Sequence, residues 1–326
     1  MRILITGFSG FVSKHFLDFL ELNETDVTVL GTDKNIPSFD YTRFKNLKVS
    51  FKEANLLDKE VMKELVLDFK PEYLLHLASY SSVGNSWVNP VESFTNNLNI
   101  FLNLIDQIRL NRIKCRVLSI GSSEEFGNVS STDLPLTEDR ELKPVSPYAV
   151  ARVSQEMLSK IYADGYGLDI ILTRSFNHIG PGQKDLFVVS SFAKQLVTMA
   201  NERTGSNKLI TGDVSIVRDF VDVRDVVKAY YLLLLHGKSG EVYNICSGTG
   251  ISLLDIIKKM SALLNIEIEI SIDKNRIRPM DNKIIIGSNS KIKNELGWEP
   301  TIEIDQSLKD IITYWKTSPT VIQNQK

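Results

Sequence analysis

The sequence predicts an α/β protein, a doubly wound parallel sheet with a smaller C-terminal α/β cap laid against its carboxyl edge. Three observations predict it. Through the first half, short β-rich runs that are apolar throughout alternate with amphipathic stretches of helical period. Strands of that kind, joined by helices, belong to a parallel sheet covered on both faces. A glycine-punctuated turn, Thr6-Gly7-Phe8-Ser9-Gly10-Phe11-Val12-Ser13, connects the first strand to the first helix. After Arg174 the alternation loosens into Gly/Pro loops and shorter elements.

Strands are predicted over 2–6, 27–32, 47–51, 73–77, 116–120 and 169–173. The helical stretches between them are 11–22, 59–69, 90–110 and 147–166. Crossovers in such a sheet are right-handed. Residues 1–175 form the first domain on this reading, and 176–326 mainly the second. In the second, NHIGPGQ (177–183) is a loop, 187–202 a helix and 208–211 a strand. The stretch 223–236, VRDVVKAYYLLLLH, is a strongly apolar helix, so 214–240 is expected to pack back on the first domain. Ser252-x-x-Asp255 opens a helix running to 264 as a capping-box-like start. A final helix covers 305–316, and the polar tail 317–326 is expected to fray. No internal repeat or low-complexity segment occurs.

The chain has 326 residues, enough for about two domains. Its 38 basic and 40 acidic residues leave a net charge of -2, which argues against nucleic acid or an acidic membrane surface as partner. Cys115 and Cys246 lie in apolar strand-like runs and read as buried reduced thiols. His15, His76, His178 and His236 show no ligand spacing, so no metal is expected. No run approaches the ~18–20 apolar residues of a membrane span. The N-terminus enters a strand at once, without a signal peptide. Together these features give a cytoplasmic expectation.

The glycine turn is of the dinucleotide-binding, Rossmann type. Gly7 supplies a turn with no side chain, and Gly10 lets the backbone approach a pyrophosphate resting on the amides that open the helix, around Phe11 and Val12. Ser13 stands where a third glycine is usual and is small enough for close helix–strand packing. The second strand ends Val29-Leu30-Gly31-Thr32-Asp33. A carboxylate there accepts from both adenosine ribose hydroxyls and repels a 2′-phosphate, so Asp33 argues for NAD over NADP. Its plainer reading is a strand-end aspartate that starts a turn.

Ser146-Pro147-Tyr148-Ala149-Val150-Ala151-Arg152 opens a helix, with Tyr148 and Arg152 four apart on one face. A cation one turn away favours the phenolate. Such a phenol exchanges a proton with an alcohol or ketone while hydride moves to or from nicotinamide. The strand at 116–120 runs into Gly121-Ser122-Ser123-Glu124-Glu125-Phe126-Gly127, which brings hydroxyls to the sheet edge where that helix begins. Taken singly, each feature also has a structural reading, as a helix-surface pair or a turn.

The chain resembles the extended short-chain dehydrogenase/reductases, also called the NAD-dependent epimerase/dehydratase family, over nearly its whole length. The stretches that carry the resemblance are TGFSGFVS, VLGTD, LLHLAS, TNN at 95–97, GSSEEFG, SPYAVAR, TRSFNHIGPGQ, VRDFVDVRDVVKAY, VYNICSG, IRPMD and LGWEP. Within it, SIGSSEEFG, SFNHIGPGQ and VRDFVDVRDVV are most similar to the GDP-4-keto-6-deoxy-D-mannose reductases. The resemblance implies NAD(H), with Leu77, Ala78 and Asn96 among the residues beside it. It implies Ser122 as the hydroxyl that bonds the reacting oxygen and Tyr148 as the proton-transferring phenol. In one departure Arg152 stands where the family has lysine, and arginine is not interchangeable with it. Either Arg152 supports hydride transfer with altered geometry, or the enzyme is weakened.

The resemblance also implies a nucleotide-diphosphate sugar as substrate. Asn177, Arg218 and Arg278 fall on positions that contact the diphosphate, and Asp281 on an acidic position that binds the ribose. Arg218 beside Asp219, and Arg224 beside Asp225, can instead be read as ion pairs, and Arg224 is assigned a structural role. No residue is identified that reads the base; guanine follows from the resemblance alone. Reduction at C4 of a deoxyhexose or heptose leads, and the reverse 4-dehydrogenation is equally compatible. A 4,6-dehydratase is the alternative, since Ser123 and Glu124 match its proton-transfer positions, although it carries an arginine near Ser190. A 4-epimerase and a binding protein that has lost catalysis remain further readings. The helices at 90–110 and 147–166 resemble those of a four-helix dimer interface, so a homodimer is expected.

Overall fold

A computed structural model describes residues 1–201 and 207–318. The last residue of the helix expected over 187–202, and all but the first two residues of the expected frayed tail, lie outside the described residues.

The first half alternates as the periodicity requires. It runs β1 (Arg2–Thr6), α1 (Phe11–Asn23), β2 (Val27–Asp33), β3 (Leu47–Glu53), α2 (Lys59–Phe69), β4 (Tyr73–His76), α3 (Val83–Val88), α4 (Pro90–Leu110), β5 (Arg116–Ser122), α5 (Pro147–Tyr166) and β6 (Asp169–Ser175). Prolines at the first helical position open α4 and α5, where a missing N–H costs nothing. Asp58 and Ser146 cap α2 and α5, and Gly167 ends α5 in the left-handed conformation.

The second half runs β7 (Asn177–Ile179), α6 (Val188–Asn201), β8 (Lys208–Thr211), β9 (Val217–Asp222), α7 (Val223–His236), β10 (Val242–Ile245), β11 (Gly250–Ser252), α8 (Leu253–Leu264), β12 (Glu269–Ile272), β13 (Ile284–Ile285), α9 (Ser290–Leu296) and α10 (Ile304–Thr317). As its sequence suggests, Ser252 caps α8 by accepting from the Asp255 N–H at 3.0 Å.

The main sheet is parallel and seven-stranded, in the order β10-β6-β5-β4-β1-β2-β3. Strand order reverses between β1 and β4, and a crevice opens at the carboxyl ends of such a pair. One face buries Phe16, Leu17 and Leu20 of α1 with Val226, Val227, Tyr230 and Leu233 of α7. The other buries Met62 and Leu65 of α2 with Ile100, Phe101 and Leu104 of α4. The apolar stretch 223–236 therefore lies on the first sheet, and β10 joins it as the edge strand beside β6. A separate core gathers Phe192 and Leu196 of α6, Ile256 and Met260 of α8, and Leu308 and Ile312 of α10. Around it β11, β9 and β13 form a small sheet joined by β7, and β12 pairs with β8.

Most strand ends that depart from the sequence reading run longer, while β4 stops one residue short of the expected 77. β5 and β6 continue past their last apolar residues, pairing Gly121 with Arg174 and Ser122 with Ser175. Backbone pairing, which hydropathy does not register, carries the ladder two residues further.

Candidate active site

The glycine turn lies at the β1/β4 crevice. Gly7 has φ +69°, and a Cβ there would come 2.7 Å from the Ala78 N and 2.8 Å from the Leu77 carbonyl carbon. Only glycine fits this close approach to the segment after β4. Leu77 and Ala78 are held by Thr6, whose backbone oxygen and hydroxyl accept their N–H groups at 3.2 and 3.3 Å. Gly10 precedes α1 without a side-chain cap, so the amides of Phe11, Val12 and Ser13 keep their donors for a ligand. Ser13 does more than pack closely: its hydroxyl donates to the Phe8 and Gly10 carbonyls and ties the turn to the helix. Phe8, expected at the cofactor, has its ring fully buried beside Phe39 and Phe51. Its N–H and C=O are both bonded within the protein, which fixes the turn.

Asp33 ends β2 and accepts the Ser9 N–H at 3.1 Å on one oxygen and the Asn35 N–H at 3.0 Å on the other. The turn-starting role leaves the expected ligand role open, since each oxygen keeps a lone pair. Of the paired asparagines in α4, Asn97 is the buried one. It accepts from the Tyr80 N–H at 2.8 Å and so fixes the chain after β4, while Asn96 makes no side-chain hydrogen bond.

At the carboxyl end of β5, Ser122 caps a 3-10 turn at Ser123–Phe126 and accepts from the Glu124 N–H at 3.2 Å. Its own O–H is left to donate. Tyr148 stands in the first turn of α5, buried, and its hydroxyl receives the Arg152 Nε–H at 3.2 Å. The guanidinium also donates to the Ile120 carbonyl at 3.1 Å, to Gln155 Oε1 at 2.7 Å and to Ser79 Oγ.

Beneath this loop lie two buried carboxyls that the sequence did not single out. Glu125 accepts the Ser122 N–H at 2.6 Å. Burial, and then the charge of Glu156, push Glu125 well above the ordinary carboxyl range. Against the opposing effect of burial, the two-pronged Arg174 contacts at 2.8 Å hold Glu156 down at about 2. The visible signal was the recurrence of Arg152, Gln155, Glu156 and Ser159 on the buried face of α5. Polar residues at that spacing on an inward face require partners.

The cap approaches the same edge. Arg278 lies 3.7 Å from Glu124 and 3.8 Å from Asp281, while Arg218 binds Asp281 at 2.5 Å. Four of the predicted residues thus form one charge-balanced chain from the loop after β5 to the cap. Arg278 and Asp281 also line a cavity of about 220 Å³ with Asp213 and Lys283. Asn177 lies on β7, paired in register with β9, the strand that carries Arg218. The Gly/Pro loop is pinned to α1: His15 contacts the Pro181 carbonyl at 2.9 Å, and the Phe11 ring stacks on His178.

The neighbouring-pair reading of Arg218/Asp219 and Arg224/Asp225 is corrected. Asp219 instead accepts the N–H groups of Ser247, Gly248 and Gly287, and Asp225 those of Thr301 and Ile302. Arg224 pairs with Asp222 and Asp310, both at 2.8 Å. Arg218 and Asp219 are adjacent on strand β9 and face opposite ways, while Arg224 and Asp225 are adjacent on helix α7, where consecutive side chains do not face each other. Ser190 is buried, donating to the Gln183 carbonyl and accepting from the Trp315 indole. Among the described residues no cluster of three or more His, Cys, Asp or Glu is placed to hold a metal ion, and no helix is long and apolar enough to cross a membrane.

Residues 4–311 match the family model described as GDP-mannose 4,6 dehydratase. The chain is 32% identical to the GDP-6-deoxy-D-mannose reductase of Pseudomonas aeruginosa, over 97% of each chain. The solved structure of RMD from Pseudomonas aeruginosa, complexed with NADPH, superposes with a TM-score of 0.83 at 32% identity, covering 97% of this chain and 99% of that one. UDP-glucose 4-epimerase from Thermotoga maritima, solved with UDP-glucose, gives 0.84 at 29% identity with the same coverage.

Proposed function

The chain belongs to the GDP-mannose 4,6-dehydratase family of extended short-chain dehydrogenase/reductases, and from that premise we propose that it is an NAD(H)-dependent oxidoreductase acting at C4 of a GDP-linked deoxyhexose or heptose. The observation that carries this reading is the buried Tyr148 hydroxyl, one helical turn from the cation that contacts it at 3.2 Å, on the edge where Ser122 ends β5. The reaction is reduction of a 4-keto sugar or its reverse.

The residues present fit the cofactor. Gly7 and the uncapped amides of α1 receive the pyrophosphate, Asp33 the adenosine ribose, and Leu77, Ala78 and the half-buried Asn96 flank the crevice. Asp33 favours NAD(H), although the Pseudomonas relative was solved with NADPH. Bound NAD(H) supplies or takes the hydride. In the reducing direction the C4=O bond becomes C–H and O–H, and Tyr148 gives the proton from its hydroxyl. Arg152 stabilises the phenolate left behind until solvent returns that proton. Ser122 donates its O–H to the reacting oxygen. Arg218 and Arg278 exchange their carboxylate partners for the diphosphate with Asn177 beside them, and Asp281 turns to the nucleotide ribose.

Dehydration is the second reading, favoured by Glu124 beside Ser123 on the catalytic loop. Two observations weigh against it. Glu124 is engaged with Arg278, and the buried Ser190 offers no cation at the position where the dehydratases carry arginine. Incubation with a GDP-4-keto-6-deoxyhexose and NADH, and with GDP-mannose or GDP-heptose and NAD, followed by product mass, decides. Gain of two hydrogens supports reduction and loss of two supports dehydrogenation. Loss of water establishes dehydration, and an isomer of unchanged mass epimerisation. No turnover with any of them refutes the reading. A C4 oxidoreductase of this kind serves polysaccharide biosynthesis. We read the chain as a homodimer through α4 and α5, whose outer faces expose Val91, Leu110, Met157 and Ile161.

A further inference from the structure

Arg152 is buried to 4% exposure, yet among the described residues no carboxylate lies within ion-pair distance of it. Its partners beyond Tyr148 are all neutral: the Ser79 hydroxyl, the Gln155 side-chain carbonyl and the Ile120 backbone carbonyl. A buried cation is costly unless its donors are satisfied. A carboxylate partner would satisfy them but would also cancel the charge. Neutral acceptors satisfy them and leave the field intact. The acceptors also fix direction. Gln155 and Ser79 take hydrogens from different terminal nitrogens, and a planar guanidinium held on both arms has its Nε–H aim determined. That hydrogen points at the phenol.

Gln155 is itself locked, since its Nε2 donates to Ser119 Oγ at 2.9 Å and to the Ile120 carbonyl at 3.3 Å. Ser119 is held in turn by the Ser159 hydroxyl at 3.0 Å. The amide therefore presents its oxygen, and only its oxygen, to Arg152. Four of the guanidinium's five N–H groups are committed in this way, and one is left over.

We propose that Ser79 and Gln155 are positioning residues that aim the Arg152 guanidinium at the Tyr148 hydroxyl without neutralising it, and that this cradle is what lets an arginine serve in the lysine's place. The proposal rests on the reading of Tyr148 as the proton-transferring group. Neither residue touches the reacting atoms; both act on the phenol through Arg152.

The test measures kcat and KM across neutral and alkaline pH for the wild-type chain and four variants, with the nucleotide sugar that the wild type turns over. Ser79→Ala removes one anchor. Gln155→Glu keeps the anchor oxygen but places a negative charge beside the guanidinium. In both, kcat is expected to fall about tenfold, the cost of a hydrogen bond to a charged group. The phenol's midpoint in the pH profile moves up by about one pH unit, the same factor in pKa terms. KM for the nucleotide sugar stays unchanged. Ser79→Thr, which keeps the hydroxyl, restores both kcat and midpoint. A fall in kcat with an unmoved midpoint would make the two residues merely structural and overturn the proposal, as would wild-type behaviour of Ser79→Ala. Ser79→Ala only shortens a half-buried side chain, so the test survives if Gln155→Glu does not fold. Tyr148→Phe separates the two levels. If it retains turnover, the reading of Tyr148 fails. If it is inactive while Ser79→Ala and Gln155→Glu keep the wild-type midpoint, only the cradle fails.

Discussion

At the scale of single residues, Gly7 and Tyr148 show what sequence legibility amounts to. The glycine pattern announced a turn, and the structure supplies the reason: positive φ and a backbone 2.7 Å from where a Cβ would stand. Gly7→Ala is expected to destabilise the chain by roughly 2 kcal/mol or more, since strain and displacement of Ala78 add. NADH affinity should fall with it, by calorimetric titration, because Gly7 shapes the turn proposed to receive the pyrophosphate. Tyr148→Phe keeps the ring and removes the proton donor. Turnover should drop by about 10²–10⁴-fold, the usual contribution of general acid–base catalysis, with NADH binding retained. Loss of NADH binding alongside turnover would instead show that Tyr148 holds the cofactor site together. Tyr148, Arg152 and Ser122 were legible because their types and order carry chemistry. Ser79 and Gln155 were not, because a serine in a loop and a glutamine on a helix are ordinary until a guanidinium is found between them.

At the scale of elements, the instructive pair is α5 against β5 and β6. The helix was legible from its Ser-Pro opening and apolar period, and its bounds agree. What the period concealed is a polar seam along the buried side, where Glu125, Glu156 and Arg174 meet. Arg174 also crosses the Phe126 ring at 4.9 Å, which places that turn between charged and aromatic contacts. Glu125 is an acid whose folded pKa lies above its ordinary 4.5. It binds more protons folded than unfolded, so its contribution is lost as pH rises from about 4.5 towards the folded value. Glu125→Gln keeps an acceptor for the Ser122 N–H without that penalty. The variant should be more stable than wild type at pH 7, by ~1 kcal/mol or more on the scale of a satisfied buried hydrogen bond, in denaturant unfolding. It should also lose stability more steeply towards pH 5. Buried His76 and His178, pushed down to about 3 and about 4 from 6.5, stay neutral when folded and make stability fall below that value. In the wild type Glu125 opposes that slope. A variant less stable than wild type at pH 7 would show that Glu125 is charged there.

At the scale of the whole molecule, the second half of the chain serves two bodies. α7 and β10 complete the first sheet, and the Trp298 ring lies in the same core, its indole bonding the Asp225 carbonyl at 3.0 Å. Interleaved segments build the cap, and Arg278 reaches from it to Glu124. The candidate site therefore draws on both bodies. The exposed apolar residues of α4 and α5 carry the assembly prediction. Light scattering at micromolar concentration should give a dimer mass, and Ile161→Glu should give a monomer, since an unpaired charge in an apolar interface costs several kcal/mol. A monomeric wild type would sink the proposed interface.

The sequence by itself determined the parallel α/β class, the bounds of most elements to within two residues, the glycine turn and the acid that ends β2, and the Tyr148–Arg152 pair. Each of these is written in local period, in a glycine that a turn demands, or in a spacing of one helical turn. Only the tertiary structure decided which aspartate each arginine holds, that β10 belongs to the first sheet, that two carboxyls share the floor under Ser122, and what surrounds Arg152. Those facts depend on side chains distant along the chain, such as Ser79, Gln155 and Tyr148, meeting in a buried space. There an unpaired polar group is expensive, and a linear pattern does not record its partner.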